Sequence, residues 1–246
     1  MKVLVTGATG LIGKAITRAM LKRGDTVVYT TTSKEKITLM QTEMGTTDAK
    51  LIGIELDLTD DNASEKLADE LAKRAIKIDY LVNNARSLDS VKVSDYHDIK
   101  RDKWQGEYLL DVIVPYELTM KIAAMNTLKG VVNISSMYGL IGYNDYLCSG
   151  SNAISINYGT AKAALIQLTR ELAVRLAPKV QVNAISFGGV AGRADDAFLA
   201  RYKKLVPTEK MLAPEETAGH VLYLCSDASS GMTGANLVVD GGFTAW

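Results

Sequence analysis

The chain has 246 residues, 47% of them hydrophobic and 23% charged, and its 28 basic and 28 acidic side chains leave a formal net charge of zero. That balance gives no bulk attraction to nucleic acid or to an anionic membrane, and no apolar run is long enough to span a bilayer. Cys148 and Cys225 lack a zinc spacing, and His97 and His220 are too few and too far apart to build a metal site, so no metal is expected and the thiols read as those of a reduced, cytoplasmic protein.

Met1 to Gly7 reads as a strand feeding a glycine turn, not as a secretion signal. Short runs rich in β-branched residues recur at 3–6, 26–30, 51–56, 80–83, 130–134, 180–185 and 236–239, and suit strands buried on both faces. Amphipathic stretches lie between them, at 11–23, 34–44, 61–75, 103–128, 157–177 and 214–227. Thr59 reads as a cap ahead of Asp60 and Asp61, and Pro214-Glu215-Glu216 as a helix start. Strict alternation of strand and helix predicts an α/β fold: a single domain over 1–246, with a doubly wound sheet of about seven parallel strands flanked by helices. Two segments, 137–156 and 187–213, fit neither pattern. Both follow strands, at the edge where ligands bind in this architecture, and read as functional loops.

Thr6-Gly7-Ala8-Thr9-Gly10-Leu11-Ile12-Gly13 joins the first strand to the first helix. Glycines there permit a tight turn and close approach of backbone to a diphosphate, which the helix amino end attracts through its N–H groups and dipole. The second strand would normally end near an acid that holds a ribose 2′-hydroxyl. Thr30-Thr31-Thr32-Ser33-Lys34 stands there instead, and hydroxyls beside a cation favour a 2′-phosphate, hence NADP; Glu35 keeps NAD open. The rival reading is a polar loop that contacts nothing.

Tyr158 and Lys162 stand four residues apart at the start of the amphipathic run 157–177, so they share a helix face. A free phenol titrates near 10, and a neighbouring ammonium favours its ionised form. Such a pair can give and take a proton. Many helices carry the two residues at this spacing by chance, so position decides its weight.

The order of motifs supplies that weight. The glycine turn is followed by Asp57-Leu58, Asn83-Asn84-Ala85, Ser135-Ser136, Tyr158-x-x-x-Lys162, Asn183 with Gly188, and Asp240-Gly241-Gly242. Over essentially its whole length the chain resembles the short-chain dehydrogenase/reductase family, in its compact single-domain Rossmann branch. The resemblance implies that Gly7, Thr9, Gly10, Leu11, Ile12 and Gly13 cradle the diphosphate, and that Thr31, Thr32 and Ser33 meet the adenosine ribose. It implies that Asp57 and Leu58 touch adenine, and that Asn83 and Ala85 shape the cofactor floor. Ser136 would hold the substrate oxygen, Tyr158 would donate or accept the proton, and Lys162 would bind the ribose hydroxyls. Gly188 and Val190 would meet the nicotinamide. Each residue also has a plain structural reading: Ser136 as a strand-end cap, Asp57 as the start of a turn, Asn83 and Asn84 as turn formers.

Several positions depart from the family pattern. The glycine turn has the G-x-x-G-x-x-G spacing of the extended, sugar-nucleotide branch, with Leu11 where the compact branch prefers glycine. Arg86 follows Asn83-Asn84-Ala85 where glycine is usual, and Phe187 precedes Gly188 where proline is usual. Aligned on Trp104, the asparagine of the family's proton relay falls on Asp111, which could hold a water in its place or be a spectator. The stretch between Ser136 and Tyr158 is long, with Tyr143, Asn144, Asp145, Tyr146, Ser149, Ser151 and Asn152 in an insertion near 141–156. These side chains suit a polyhydroxylated ring, and with the ending Asp240 to Trp246 they resemble a bacterial sub-branch of nonulosonic-acid and surface-glycan synthesis. The expected activity is NAD(P)-dependent interconversion of a hydroxyl and a ketone on a sugar-like small molecule. The alternatives are a nucleotide-sugar epimerase or dehydratase, for which the chain after Lys162 is short, and a cofactor-binding regulator with weakened catalysis. The resemblance also implies a homo-oligomer, a dimer or tetramer, paired through 103–128 and 157–177, with Phe243 and Trp246 either at a contact or over their own core.

Overall fold

Continuous β-branched runs need cover on both faces, and helices between consecutive strands supply it. In the computed structural model, which describes residues 1–46, 49–87, 99–147, 155–192 and 194–246, seven such runs pair in one sheet. They are β1 (Lys2–Val5), β2 (Thr26–Thr31), β3 (Leu51–Glu55), β4 (Tyr80–Asn83), β5 (Gly130–Ser136), β6 (Gln181–Phe187) and β7 (Asn236–Val239). All pairings are parallel, in the order β3-β2-β1-β4-β5-β6-β7. The order reverses between β1 and β4, which opens a crevice at their carboxyl ends.

The helices are α1 (Leu11–Arg23), α2 (Lys34–Met44), α3 (Ala63–Lys73), α4 (Arg101–Tyr108), α5 (Val114–Ala123), α6 (Ile156–Leu176), α7 (Asp196–Leu205) and α8 (Pro214–Leu224). One buried cluster gathers Leu4, Leu81, Leu118 and Leu172 with the α3, α5 and α6 face; another gathers Val3, Ile16, Val27 and Val221 with the α1 and α8 face. A third, smaller cluster of Met137, Leu147, Tyr202, Val206 and Phe243 joins the loops that follow β5, β6 and β7.

Several expectations need correction. The run 103–128 is not one regular helix: α4 and α5 flank a π turn at Leu109–Ile113, where the Val114 N–H donates to Leu109 O, five residues back. Pro115 lacks the N–H that would bond Asp111 O in a regular helix, so the turn widens there. The segment 187–213 is not all loop, because α7 forms inside it with Asp195 as cap, its Oδ1 accepting from Phe198 N at 2.7 Å. Thr59 does not cap α3. Asp57 Oδ1 accepts from both Thr59 N (2.9 Å) and Thr59 Oγ1 (2.7 Å), which makes a turn, and the helix starts after Asn62. Finally α8 stops at Leu224 and a separate 3₁₀ turn follows at Asp227–Ser229. Strand β5 reaches further than expected, so Ser135 and Ser136 are its last two residues.

Candidate active site

The crevice is built first by glycine. Gly7 has φ +64°, and a Cβ there would lie 2.8 Å from Ala85 Cα; a Cβ on Gly13 would lie 2.1 Å from Gly7 O. The turn therefore closes directly onto the segment after β4. Thr6 and Asn84 latch the two together: Thr6 Oγ1 accepts from Asn84 N (2.9 Å) and Ala85 N (3.0 Å), and Asn84 Nδ2 donates to Thr6 O (3.0 Å) and Gly7 O (3.1 Å). Sequence reasoning gave Asn84 only a turn-forming part and passed over Thr6. Helix α1 starts at Gly10 with no side-chain cap and no acid in its first turn. The N–H groups of Leu11, Ile12 and Gly13 lack intrahelical acceptors, so a diphosphate fits this donor set.

At the end of β2, Thr31 is buried, Lys36 Nζ donates to Thr32 Oγ1 at 2.9 Å, and Ser33 caps α2 by accepting from Lys36 N at 3.4 Å. Glu35 is engaged at the helix start: its own backbone N–H and the Ser33 hydroxyl hold its carboxyl below the usual range. A cavity of about 210 Å³ lies between this end and the glycine turn, lined by Thr9, Lys14, Lys36, Leu39, Met40 and Glu43. Lys14 already pairs with Glu43.

Two expected contact residues point into the fold. Leu58 is buried in the core beside β3. Asn83 Nδ2 donates to Asn133 Oδ1 (2.8 Å), whose Nδ2 donates to Thr169 Oγ1 (2.9 Å), a buried amide chain tying β4 to β5 and α6.

The end of β5 and the start of α6, which carry Ser136, Tyr158 and Lys162, pack together. Ser136 is buried, and its Oγ accepts from Tyr138 N at 3.2 Å, capping a 3₁₀ turn at Met137–Gly139. Helix α6 packs on that turn through two glycines. A Cβ on Gly139 would lie 2.9 Å from Lys162 C, and one on Gly159 would lie 3.0 Å from Tyr138 O. Ser135 Oγ donates to Lys162 O at 3.1 Å, and Asn157 Nδ2 donates to Lys103 O at 3.0 Å, anchoring α6 to α4. Tyr158 is half-buried, with Lys162 Nζ 5.8 Å and the Arg86 guanidinium 4.5 Å from its ring centre.

Lys162 is buried and donates to Asp111 Oδ1 (2.8 Å) and Ile134 O (2.9 Å), leaving one of its three N–H donors for other partners. Asp111 sits in the π turn, a distortion that often marks functional positions. Four residues earlier, Glu107 is also buried. Burial and the adjacent Asp111 carboxylate push its carboxyl up to about 7. Sequence reasoning missed Glu107; its helical spacing from Asp111 was the available signal.

After β6, Gly188 N donates to Val239 O (2.9 Å) and Gly189 N to Tyr202 Oη (2.8 Å), while Val190 bridges to Leu212. Tyr202 stacks on Phe243, ring centres 5.5 Å apart, so Phe243 covers its own subunit's core; Trp246 is exposed. Leu11 packs against Gly192, which closes the loop over the glycine turn. In the stretch before α6, Leu147 is anchored in the third cluster, and Tyr143 and Tyr146 lie on the surface. Ser149, Ser151, Asn152, Cys148 and His97 lie outside the described residues. A cavity of about 590 Å³ runs along the Gly159, Thr160 and Ala163 side of α6, against Tyr138 to Tyr143. Its lining does not include Ser136, Tyr158 or Lys162. Among the described residues no helix is long and apolar enough to cross a membrane, and no cluster of three His, Cys, Asp or Glu could hold a metal.

A family model described as enoyl-(acyl carrier protein) reductase matches residues 7–244, almost the whole chain. The chain belongs to the short-chain dehydrogenase/reductase family. It is 31% identical to a 3-oxoacyl-[acyl-carrier-protein] reductase of Aquifex aeolicus, over 97% of this chain and 95% of that one. It is 30% identical to an NADH-dependent L-xylulose reductase of Ambrosiozyma monospora, over 99% and 94%. The crystal structure of a short-chain type dehydrogenase/reductase from Mycobacterium marinum superposes with a TM-score of 0.85 at 27% identity, over 100% of this chain and 95% of that one. The protein is thus an NAD(P)-dependent oxidoreductase of this family.

Proposed function

We propose that this dehydrogenase/reductase interconverts a hydroxyl and a ketone on a polar, sugar-like substrate, with Tyr158 as acid and base. The observation that carries the reading is the Tyr158 ring held beside Lys162 and under Arg86, the residue that follows Ala85, onto which the glycine turn closes. The bound nicotinamide dinucleotide supplies hydride transfer. Gly7, Thr9, Gly10, Leu11, Ile12 and Gly13 would hold its diphosphate, Asp57 and Leu58 its adenine end, Asn83 and Ala85 the floor, and Gly188 and Val190 the nicotinamide side. Because the Asn83 and Leu58 side chains face inward, their backbones would make those contacts.

The chain's own residues handle the proton. Ser136 accepts one backbone hydrogen bond and keeps its hydroxyl proton to donate to the substrate oxygen. In reduction Tyr158 gives its proton to that oxygen as negative charge develops there. The Lys162 ammonium then stabilises the phenolate, and in oxidation the same phenolate takes the proton back. Lys162 would also hold the ribose hydroxyls with its remaining donor. Asp111 replaces the family's water-holding asparagine with a direct charged contact to Lys162.

We read the cofactor as NADP. Thr31, Thr32 and Ser33 end β2 without a carboxylate, Lys36 already reaches Thr32, and Glu35 is engaged elsewhere. The sugar-like substrate is supported by the polar, tyrosine-bearing stretch after Ser136 and by the exposed Arg86 over Tyr158, where an acidic sugar could bind. The likeness to an acyl-carrier reductase favours a second reading, a 3-oxoacyl thioester. Assays of polyols, acidic sugars and acyl thioesters with each cofactor separate the two; activity confined to acyl or other apolar ketones ends the sugar reading. The reading extends to a cytoplasmic homo-oligomer, dimer or tetramer. Exposed Ile113, Tyr116 and Met120 on one helical face, with Ile156 and Val174 on α6, support pairing through these helices.

A further inference from the structure

Three buried carboxylate oxygens lack a hydrogen-bond donor among the described residues: both oxygens of Glu107, and Oδ2 of Asp111. Glu107 is only 1% exposed and Asp111 2%. The two residues stand one helical turn apart, where α4 runs into the π turn, so their buried carboxyls act on each other. Two carboxylates buried side by side repel each other, and one proton shared between them removes that repulsion. We propose that Glu107 is a positioning residue for Lys162: it carries the single proton of a carboxyl–carboxylate pair with Asp111, so that the buried ammonium faces one counter-charge instead of two.

Among the described residues, the charges around Glu107 come from three elements. Asp111 faces it from the π turn, Lys162 from α6, and Arg86 from the segment after β4. Arg86 is exposed and stacked over Tyr158, and Lys162 is already paired with Asp111. An ionised Glu107 would place a second negative charge in the buried cluster with no donor of its own. The carboxyl of Glu107, pushed up to about 7 by burial and then by Asp111, is consistent with the proton staying. With the proton in place, Lys162 is balanced by Asp111 and retains influence over Tyr158, 5.8 Å from its ring centre. When Glu107 ionises, a second carboxylate competes with the phenolate for the same cation. That consequence for turnover rests on the role proposed for Tyr158; the shared proton does not.

Infrared difference spectra of the cofactor-free protein, wild type against Glu107→Gln, test the proton directly. At about pH 6 the wild type should show the carbonyl stretch of a protonated carboxylic acid that the variant lacks, and the band should fade as pH rises through about 7. Absence of such a band overturns the proposal. If Glu107→Gln does not fold, Asp111→Asn is the second variant: removing the like charge should move the fading of the wild-type band to lower pH, and an unmoved band overturns the pairing. In turnover, the pH profile of kcat for oxidation should carry an ionisation near 7 that Glu107→Gln abolishes. Identical profiles overturn the positioning role. Tyr158→Phe keeps the two readings separable: lost turnover without an acid band in the wild type leaves the Tyr158 reading standing and removes this one, and an acid band with undiminished Tyr158→Phe turnover does the reverse.

Discussion

Lys162 Nζ lies 2.8 Å from Asp111 Oδ1, and both side chains are sealed from solvent. The lysine is thus faced by a charged partner. The ammonium is therefore fixed by an ion pair before any cofactor arrives, and the π turn that Pro115 favours is what places Asp111 there.

Removing the lysine should be costly for the fold as well as for catalysis. Lys162→Met leaves a buried carboxylate without its cation, and breaking such pairs costs about 3–5 kcal/mol. Chemical denaturation should report that loss, together with lost turnover. A variant as stable as the wild type would mean that the pair is not buried as described.

Glu107 gives stability a pH dependence. Its folded value, about 7, lies above the ordinary 4.5, so the folded state binds this proton more tightly than the unfolded state. The contribution is complete below about pH 4.5 and is lost as pH rises through about 7, a change of order 3 kcal/mol at most. Glu107→Gln should flatten the midpoint of thermal unfolding across this window relative to the wild type.

Cofactor choice should follow the end of β2. Lys36→Ala removes the one cation hydrogen-bonded to Thr32 and should weaken NADP about tenfold or more, the scale of one charge-assisted hydrogen bond, while leaving NAD little changed. Titration of each cofactor by fluorescence checks this; equal losses for both would refute the 2′-phosphate reading.

The close approach of α6 to the Ser136 turn predicts a steric sensitivity. Gly139→Ala forces a methyl to 2.9 Å from Lys162 C, an overpacking strain of about 1–3 kcal/mol. Turnover should fall by more than stability does, since the displaced segment carries Tyr158 and Lys162. Paired measurements of kcat and unfolding free energy decide it.

Most of the sheet was legible because each strand is a short β-branched run and each crossover is an amphipathic helix. The glycine turn and Tyr158-x-x-x-Lys162 were legible because their chemistry is local in sequence. What escaped depends on tertiary context. Helix α7 was read as loop because its packing partners, Leu147 and Phe243, are far away in the chain. The π turn escaped because 103–128 was read as one helix straight through Pro115, whose missing N–H loosens the turn there. Glu107 was not singled out in the sequence, because only the folded neighbours bury it. That the Asn83 amide reaches Asn133 on the adjacent strand was likewise not legible, because the pairing of β4 with β5 is a tertiary fact.

On the proposed reading, Tyr158 moves the proton while the crevice holds the dinucleotide. Steady-state turnover and cofactor affinity of Tyr158→Phe, measured on the same preparation, test it most directly. Turnover should fall by about 10²–10⁴, the scale of general acid–base catalysis, with cofactor affinity changed only a few-fold. Near-normal turnover by the phenylalanine variant would contradict the account.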